Sequence, residues 1–206
     1  MSVNTQNIID EVINSLELIN ADDIPAIDLY MDQVTTFMEK HLKGSKRYES
    51  DKILTKTMIN NYAKNNLIPS PEKKRYSKEH VLMLVFIYYF KNIMSINDIK
   101  TLLNPISDKY FHQDSGMKLE DIYKEVCTIE KDELVKLKSD LKDKLELSAT
   151  TFRDCPENEK KFLQLFSMIC ALSYDVYVKK QLIESIIDAI ADEKKSVSDS
   201  KKDNKK

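Results

Sequence analysis

Apolar residues recur at helical spacing along most of this chain. Ile8, Ile9, Val12, Ile13, Leu16 and Leu18 pattern a short amphipathic helix over residues 7–18, which Asp22, Asp23 and Pro25 interrupt. Met31, Val34, Phe37, Met38 and Leu42 line one face of a second helix, with Asp28 placed to cap it. A polar loop around Gly44 leads to a third helix, expected over 55–65 with Thr55 at its start. At 100° per residue, Met58, Ile59, Tyr62 and Ala63 of this helix fall within an arc of about 140°. Lys56, Thr57, Asn60, Asn61 and Lys64 fill the opposite arc. Asn65 or Asn66 should end the helix, because asparagine tolerates the left-handed backbone needed just past a helix terminus.

Leu67 to Pro71 then extends the chain, since the residue before each proline is pushed out of the helical region. A short hairpin over roughly 67–76 is expected, with its tip near Pro71 to Lys73. Ser77 caps a buried helix running through the apolar stretch to about Met94. Ser95 and Asp98 form a capping box for a short helix that ends at Leu103. Asn104-Pro105 opens a polar connector reaching Gly116. Leu119, Ile122, Tyr123 and Val126 begin another stripe; Leu134, Leu137, Leu141 and Leu145 continue it after a break near 128–131. A last helix starts near Pro156 and runs to about Glu193, apolar nearly all round between Phe162 and Val178. Such a helix is enclosed by others or pairs with a second subunit. The expected organisation is an acidic N-terminal segment (1–21), a first domain (22–104), a connector (105–116), a helical dimerisation or partner-binding domain (117–193) and a disordered tail (194–206).

Composition narrows the function. Two glycines and five prolines in 206 residues disfavour a turn-rich β fold and leave no glycine-rich phosphate loop. The longest apolar run, Val81 to Phe90, has ten residues, about half a membrane span. Three widely spaced cysteines without a C-x-x-C, and no signal peptide, imply a reducing cytoplasm. The net charge of −2 conceals a strong asymmetry. Residues 1–39 carry eight acidic and no basic side chains, whereas residues 40–80 carry eleven basic and four acidic ones. Clustered positive charge is what a phosphate backbone senses, whatever the global balance.

The exposed arc of the third helix therefore reads as a DNA-binding face. Thr57, Asn60 and Asn61 are the candidate base contacts, since an asparagine amide can bond adenine N6 and N7 together. Lys56, Tyr62, Lys64, Lys73, Lys74, Arg75 and Tyr76 are the candidate phosphate contacts. His41, His80 and His112 lie far apart, without metal-ligand spacing, and are expected as ordinary, partly exposed histidines. Neither an enzyme, a metal nor a cofactor is expected.

The stretch from Thr55 to Leu103 resembles the winged-helix DNA-binding domain of the MerR family. Tyr62, Leu67-Ile68, Pro69, Arg75-Tyr76 and Ser95 to Leu103 match its features in order, with Asn66 in place of the usual glycine. Together with D-L-Y-M-D-Q-V at 28–34, the stretch looks like an uncharacterised bacterial family, the YkrK-like domain-of-unknown-function proteins. The resemblance covers about 22–104. It implies a mainly α fold: a MerR-like winged helix-turn-helix with a small β-hairpin wing, plus a C-terminal helical domain. The function it implies is that of a cytoplasmic, sequence-specific transcriptional regulator that binds double-stranded DNA as a homodimer through its C-terminal helices. The rival expectation is a non-enzymatic interaction adaptor that keeps the winged-helix shape without reading DNA. The acidic N-terminal segment is further expected to fold over the basic face and inhibit binding.

Overall fold

The computed structural model describes residues 4–15, 19–113 and 115–203, the last seven of these as backbone alone. The described chain is mainly helical, with seven α-helices and one small antiparallel sheet. The helices are α1 (Thr5–Ser15), α2 (Met31–Leu42), α3 (Lys56–Lys64), α4 (Lys78–Phe90), α5 (Ile96–Tyr110), α6 (Leu119–Ala149) and α7 (Glu157–Asp203). The strands are β1 (Leu29–Tyr30) and β2 (Arg75–Tyr76), with Leu29 opposite Tyr76 and Tyr30 opposite Arg75. Leu16 and Leu18, which the pattern assigns to the first helix, lie outside the described residues.

Helix α4 is the centre of the fold. From His80 to Tyr88 every side chain is buried, so neighbours enclose it on all sides. Around it a single cluster gathers Val34 and Met38 from α2, Ile59 and Tyr62 from α3, Ile99 and Leu103 from α5, and Leu119, Tyr123 and Cys127 from α6. Removing that much apolar surface from water is the main stabilising term of the fold. One polar bond reinforces it, from the Tyr123 hydroxyl to the Ile19 carbonyl at 2.6 Å. The interior thus extends from Ile19 to Cys127, beyond the connector expected at 105–116.

Helix α4 ends at Phe90, short of the expected Met94, and four further features differ from the sequence pattern, each for an identifiable reason. Helix α2 starts after Tyr30, whose backbone N–H donates to Gln33 Oε1 at 2.8 Å, because β1 claims residues 29–30; Asp28 caps nothing. Helix α5 continues through Pro105 to Tyr110. Pro105 has no N–H for the Thr101 carbonyl four residues back, and Lys194 Nζ of α7 donates to that oxygen instead, at 3.0 Å. Helix α6 is unbroken at 128–131; Thr128 turns its hydroxyl back to the Lys124 carbonyl at 3.0 Å without interrupting the ladder. Helix α7 continues past Glu193 to Asp203, its Lys- and Ser-rich sequence remaining compatible with helix once the preceding turns nucleate it. Residues 204–206 of the expected tail lie outside the described residues.

Candidate nucleic-acid interface

Helix α3 is set by its two ends. Thr55 Oγ1 accepts from the Met58 N–H at 3.2 Å, an N-cap that satisfies one of the free donors of the first turn. At the other end Asn66 takes a left-handed backbone, φ +56°. The Leu67 N–H reaches the Tyr62 carbonyl at 2.9 Å and the Asn66 N–H reaches Ala63 at 3.1 Å. That pair of bonds is a Schellman motif, and it turns the chain sharply toward the wing. Between the caps, Ile59 and Tyr62 are buried, while Lys56, Thr57, Asn60, Asn61 and Lys64 are all exposed.

The loop before α3 is held from below. Ser45 and Tyr88 share a hydroxyl–hydroxyl bond. Lys91 Nζ donates to the Ile53 carbonyl at 2.8 Å and lies 4.9 Å from the centre of the Tyr88 ring. Burial lowers the Lys91 pKa from the usual lysine range. Gly44 is required for a further contact, because a Cβ there would come within 2.6 Å of the Ser15 carbonyl. Arg47, Tyr48 and Lys52 stand exposed on this loop. The helical wheel did not select them as site residues; only the charge count of 40–80 hinted at the arginine and the lysine.

The wing is not a self-contained hairpin over 67–76. Its strand β2 pairs with β1, which lies far back in sequence before α2. Its tip is a tight turn closed by the Arg75 N–H to the Glu72 carbonyl at 2.8 Å. Lys73 and Lys74, the two central residues, both have positive φ, +48° and +64°. Glycine and asparagine normally fill such positions, because a Cβ is crowded there. Two lysines therefore hold strained backbone while both side chains remain exposed.

The structure divides the expected phosphate contacts. Among the described residues, Lys64, Lys73, Lys74 and Arg75 enter no ion pair, whereas Lys56 is paired with Asp32 at the start of α2. Tyr62 and Tyr76 are 7% and 2% exposed, and burial raises both phenol pKa values. Their rings serve as packing that fixes the helix and the strand. The basic groups share one anchor. Tyr30 pairs with Arg75, and two residues later Asp32 meets Lys56, so residues 29–32 tie the wing to the start of α3.

His80 lies at the base of this assembly and is 2% exposed, not partly exposed as the sequence suggests. The Ser77 N–H donates to its Nδ1 at 3.0 Å, so the ring proton sits on Nε2. That nitrogen has no well-formed hydrogen bond. Burial, with His112 nearby, lowers the His80 pKa to about 4, and the Pro69 carbonyl offsets only part of the shift. His112 is exposed; its Nδ1 lies 2.9 Å from Glu79 Oε2, which ties the end of α5 to the start of α4.

Among the described residues, no ion pair joins the segment 1–21 to these lysines. Asp10 pairs with Lys138 at 3.3 Å and Asp22 with Lys124 at 3.2 Å, both on α6. Among the described residues no group of His, Cys, Asp and Glu is placed to hold a metal ion. No helix among them is long and apolar enough to cross a membrane.

A family model described as a domain of unknown function, DUF1836, matches residues 19–126, just over half of the chain. The chain belongs to the DUF1836 family. No curated protein and no solved structure matches it. The DUF1836 segment coincides with the buried cluster, which runs from Ile19 to Cys127. The family unit is therefore the whole packed body, including the first turns of α6. The α3 face and the wing lie inside the DUF1836 segment, and most of α6 and all of α7 lie beyond it.

Proposed function

We propose that this DUF1836 protein is a sequence-specific, DNA-binding transcriptional regulator with a MerR-like winged helix. Helix α3 enters the major groove, and the 69–76 wing holds the flanking backbone. One observation carries the reading: an amide-rich helix face without acidic groups shares its anchor with a strained turn that presents two lysines. Strained backbone concentrates at functional positions, where surrounding structure over-determines it. Asn60 and Asn61 supply the base readout; Lys64, Lys73, Lys74 and Arg75 supply the phosphate contacts, with Lys56 shared between Asp32 and the duplex.

Selection of bound fragments from genomic DNA, followed by gel shifts on the selected sequence, tests this reading. With four to five cations on phosphates per chain, log affinity should fall against log salt with a slope of roughly −4 per chain. Asn60→Ala should reduce discrimination among sequences by about 1–3 kcal/mol, whereas Lys73→Ala should weaken all sequences alike. Binding that ignores salt, or identical behaviour of the two variants, would defeat the assignment.

A further inference from the structure

The connection between α2 and α3 is long for a helix-turn-helix. That motif joins its two helices through about three or four residues, whereas thirteen residues, 43–55, separate Leu42 from Lys56 here. Irregular connections of that length inside a compact body are mostly functional or disordered. This one is fixed at both ends. Near its start Ser45 shares a hydrogen bond with the Tyr88 hydroxyl, and Lys46 pairs with Glu39. Near its end Ile53 and Leu54 are buried, and the Ile53 carbonyl accepts from Lys91 Nζ at 2.8 Å. Between these anchors the tip closes on itself. The Asp51 N–H donates to the Tyr48 carbonyl at 3.0 Å, and Asp51 Oδ2 accepts from the Tyr48 N–H at 2.9 Å. An ordered tip thus holds Arg47, Tyr48 and Lys52 in solvent, with the Arg47 guanidinium 5.2 Å from the centre of the Tyr48 ring.

Charge and position give this tip a role. Of the eleven basic residues in 40–80, the α3 face and the wing use five. Lys46 and Lys78 are paired with Glu39 and Glu120. Lys40 and Lys43 stand at the C-terminal end of α2, where the helix dipole favours a cation. Arg47 and Lys52 have no such partner: among the described residues neither enters an ion pair. They also lie away from the wing. Ser77, which follows the wing, starts α4, whereas Tyr88 and Lys91 hold the loop at the other end of that helix, about 20 Å along. Helix α3 runs between the two, entered from the loop at Thr55 and left for the wing at Asn66.

We infer that the 47–52 tip is a second phosphate-binding element for double-stranded DNA, gripping the backbone at the end of α3 opposite the wing through Arg47, Lys52 and the Tyr48 hydroxyl. This rests on the proposed DNA reading. A guanidinium suits the task because two of its N–H groups meet two phosphate oxygens together. The anchors order the tip before binding, so little conformational freedom is lost on contact. Glu49, exposed on the same tip, works against the contact.

Gel shifts on the selected duplex, with an unrelated duplex beside it, test the inference. Two further cations on phosphates steepen the salt slope from roughly −4 to roughly −6 per chain. Arg47→Ala with Lys52→Ala should return it to roughly −4 and weaken both duplexes at least about tenfold, while Glu49→Gln should tighten both. Far-UV circular dichroism should stay unchanged, since all three side chains are exposed. In ethylation interference, the phosphates silenced by the double variant should lie at the opposite end of the site from those silenced by Lys73→Ala. A wild-type slope near −4 that the double variant does not alter overturns the inference and leaves the proposed function standing. A loss confined to the selected duplex overturns the assignment to phosphate. Wild-type binding that ignores salt overturns the inference and the proposed function together.

Discussion

At the scale of single residues, the wing tip and His80 both place a local cost beside the proposed interface. Lys74, at φ +64°, occupies backbone that glycine adopts freely. Lys74→Gly should therefore raise stability by about 0.5–1 kcal/mol in urea unfolding while weakening DNA binding. Unchanged or reduced stability would mean that the turn is not strained. His80 gives a pH dependence whose sign is fixed. Its folded pKa, about 4, lies below the ordinary 6.5, so the unfolded chain binds more protons between those values. Stability is complete above about pH 6.5 and is lost as pH falls toward 4, by at most about 3 kcal/mol. Protonating Nδ1 would also displace the Ser77 N–H. His80→Gln keeps an acceptor at that capping position without a titrating ring. The variant should flatten the pH 4–6.5 segment of a urea-midpoint profile, and a profile as steep as wild type would remove His80 as its source.

At the scale of elements, what could be read in the sequence depended on how local the determining contacts were. Helix α3 was legible from both ends and round its circumference, because Thr55, Asn66 and the alternation of Ile59 with Asn60 act within a few residues. The capping box of α5, with the Asp98 N–H donating to Ser95 Oγ at 3.2 Å, was legible for the same reason. The candidate base contacts Thr57, Asn60 and Asn61 lie on the exposed face that the wheel described. The wing pairing was not legible: Arg75 and Tyr76 find their partners at 29–30, and nothing in 67–76 encodes that. Nor was the length of α5. Pro105 reads as a terminator, and the lysine that satisfies the orphaned carbonyl stands 93 positions away. Pro105→Ala restores the helical donor and should stabilise the fold by about 1 kcal/mol or more, while releasing Lys194. Hydrogen exchange would then slow at 101–110 and quicken at 187–196; unaltered exchange in both segments would refute the compensation.

For the whole molecule, two layers of organisation overlap on different stretches of sequence. The closed interior and the DUF1836 match share nearly the same limits, 19–127 and 19–126. The long helix beyond them returns to lean on α5 through Lys194, so it is fastened to the body that carries the proposed DNA face.

The bond from Tyr123 to the Ile19 carbonyl has a practical consequence for dissection of the protein. The buried cluster begins at residue 19 and ends at residue 127, although sequence punctuation invites a cut at Asn104. A 19–127 polypeptide should melt cooperatively. A 22–104 polypeptide, deprived of Leu119, Tyr123 and Cys127, forfeits several kcal/mol of apolar closure and should be cleaved by trace protease under the same conditions.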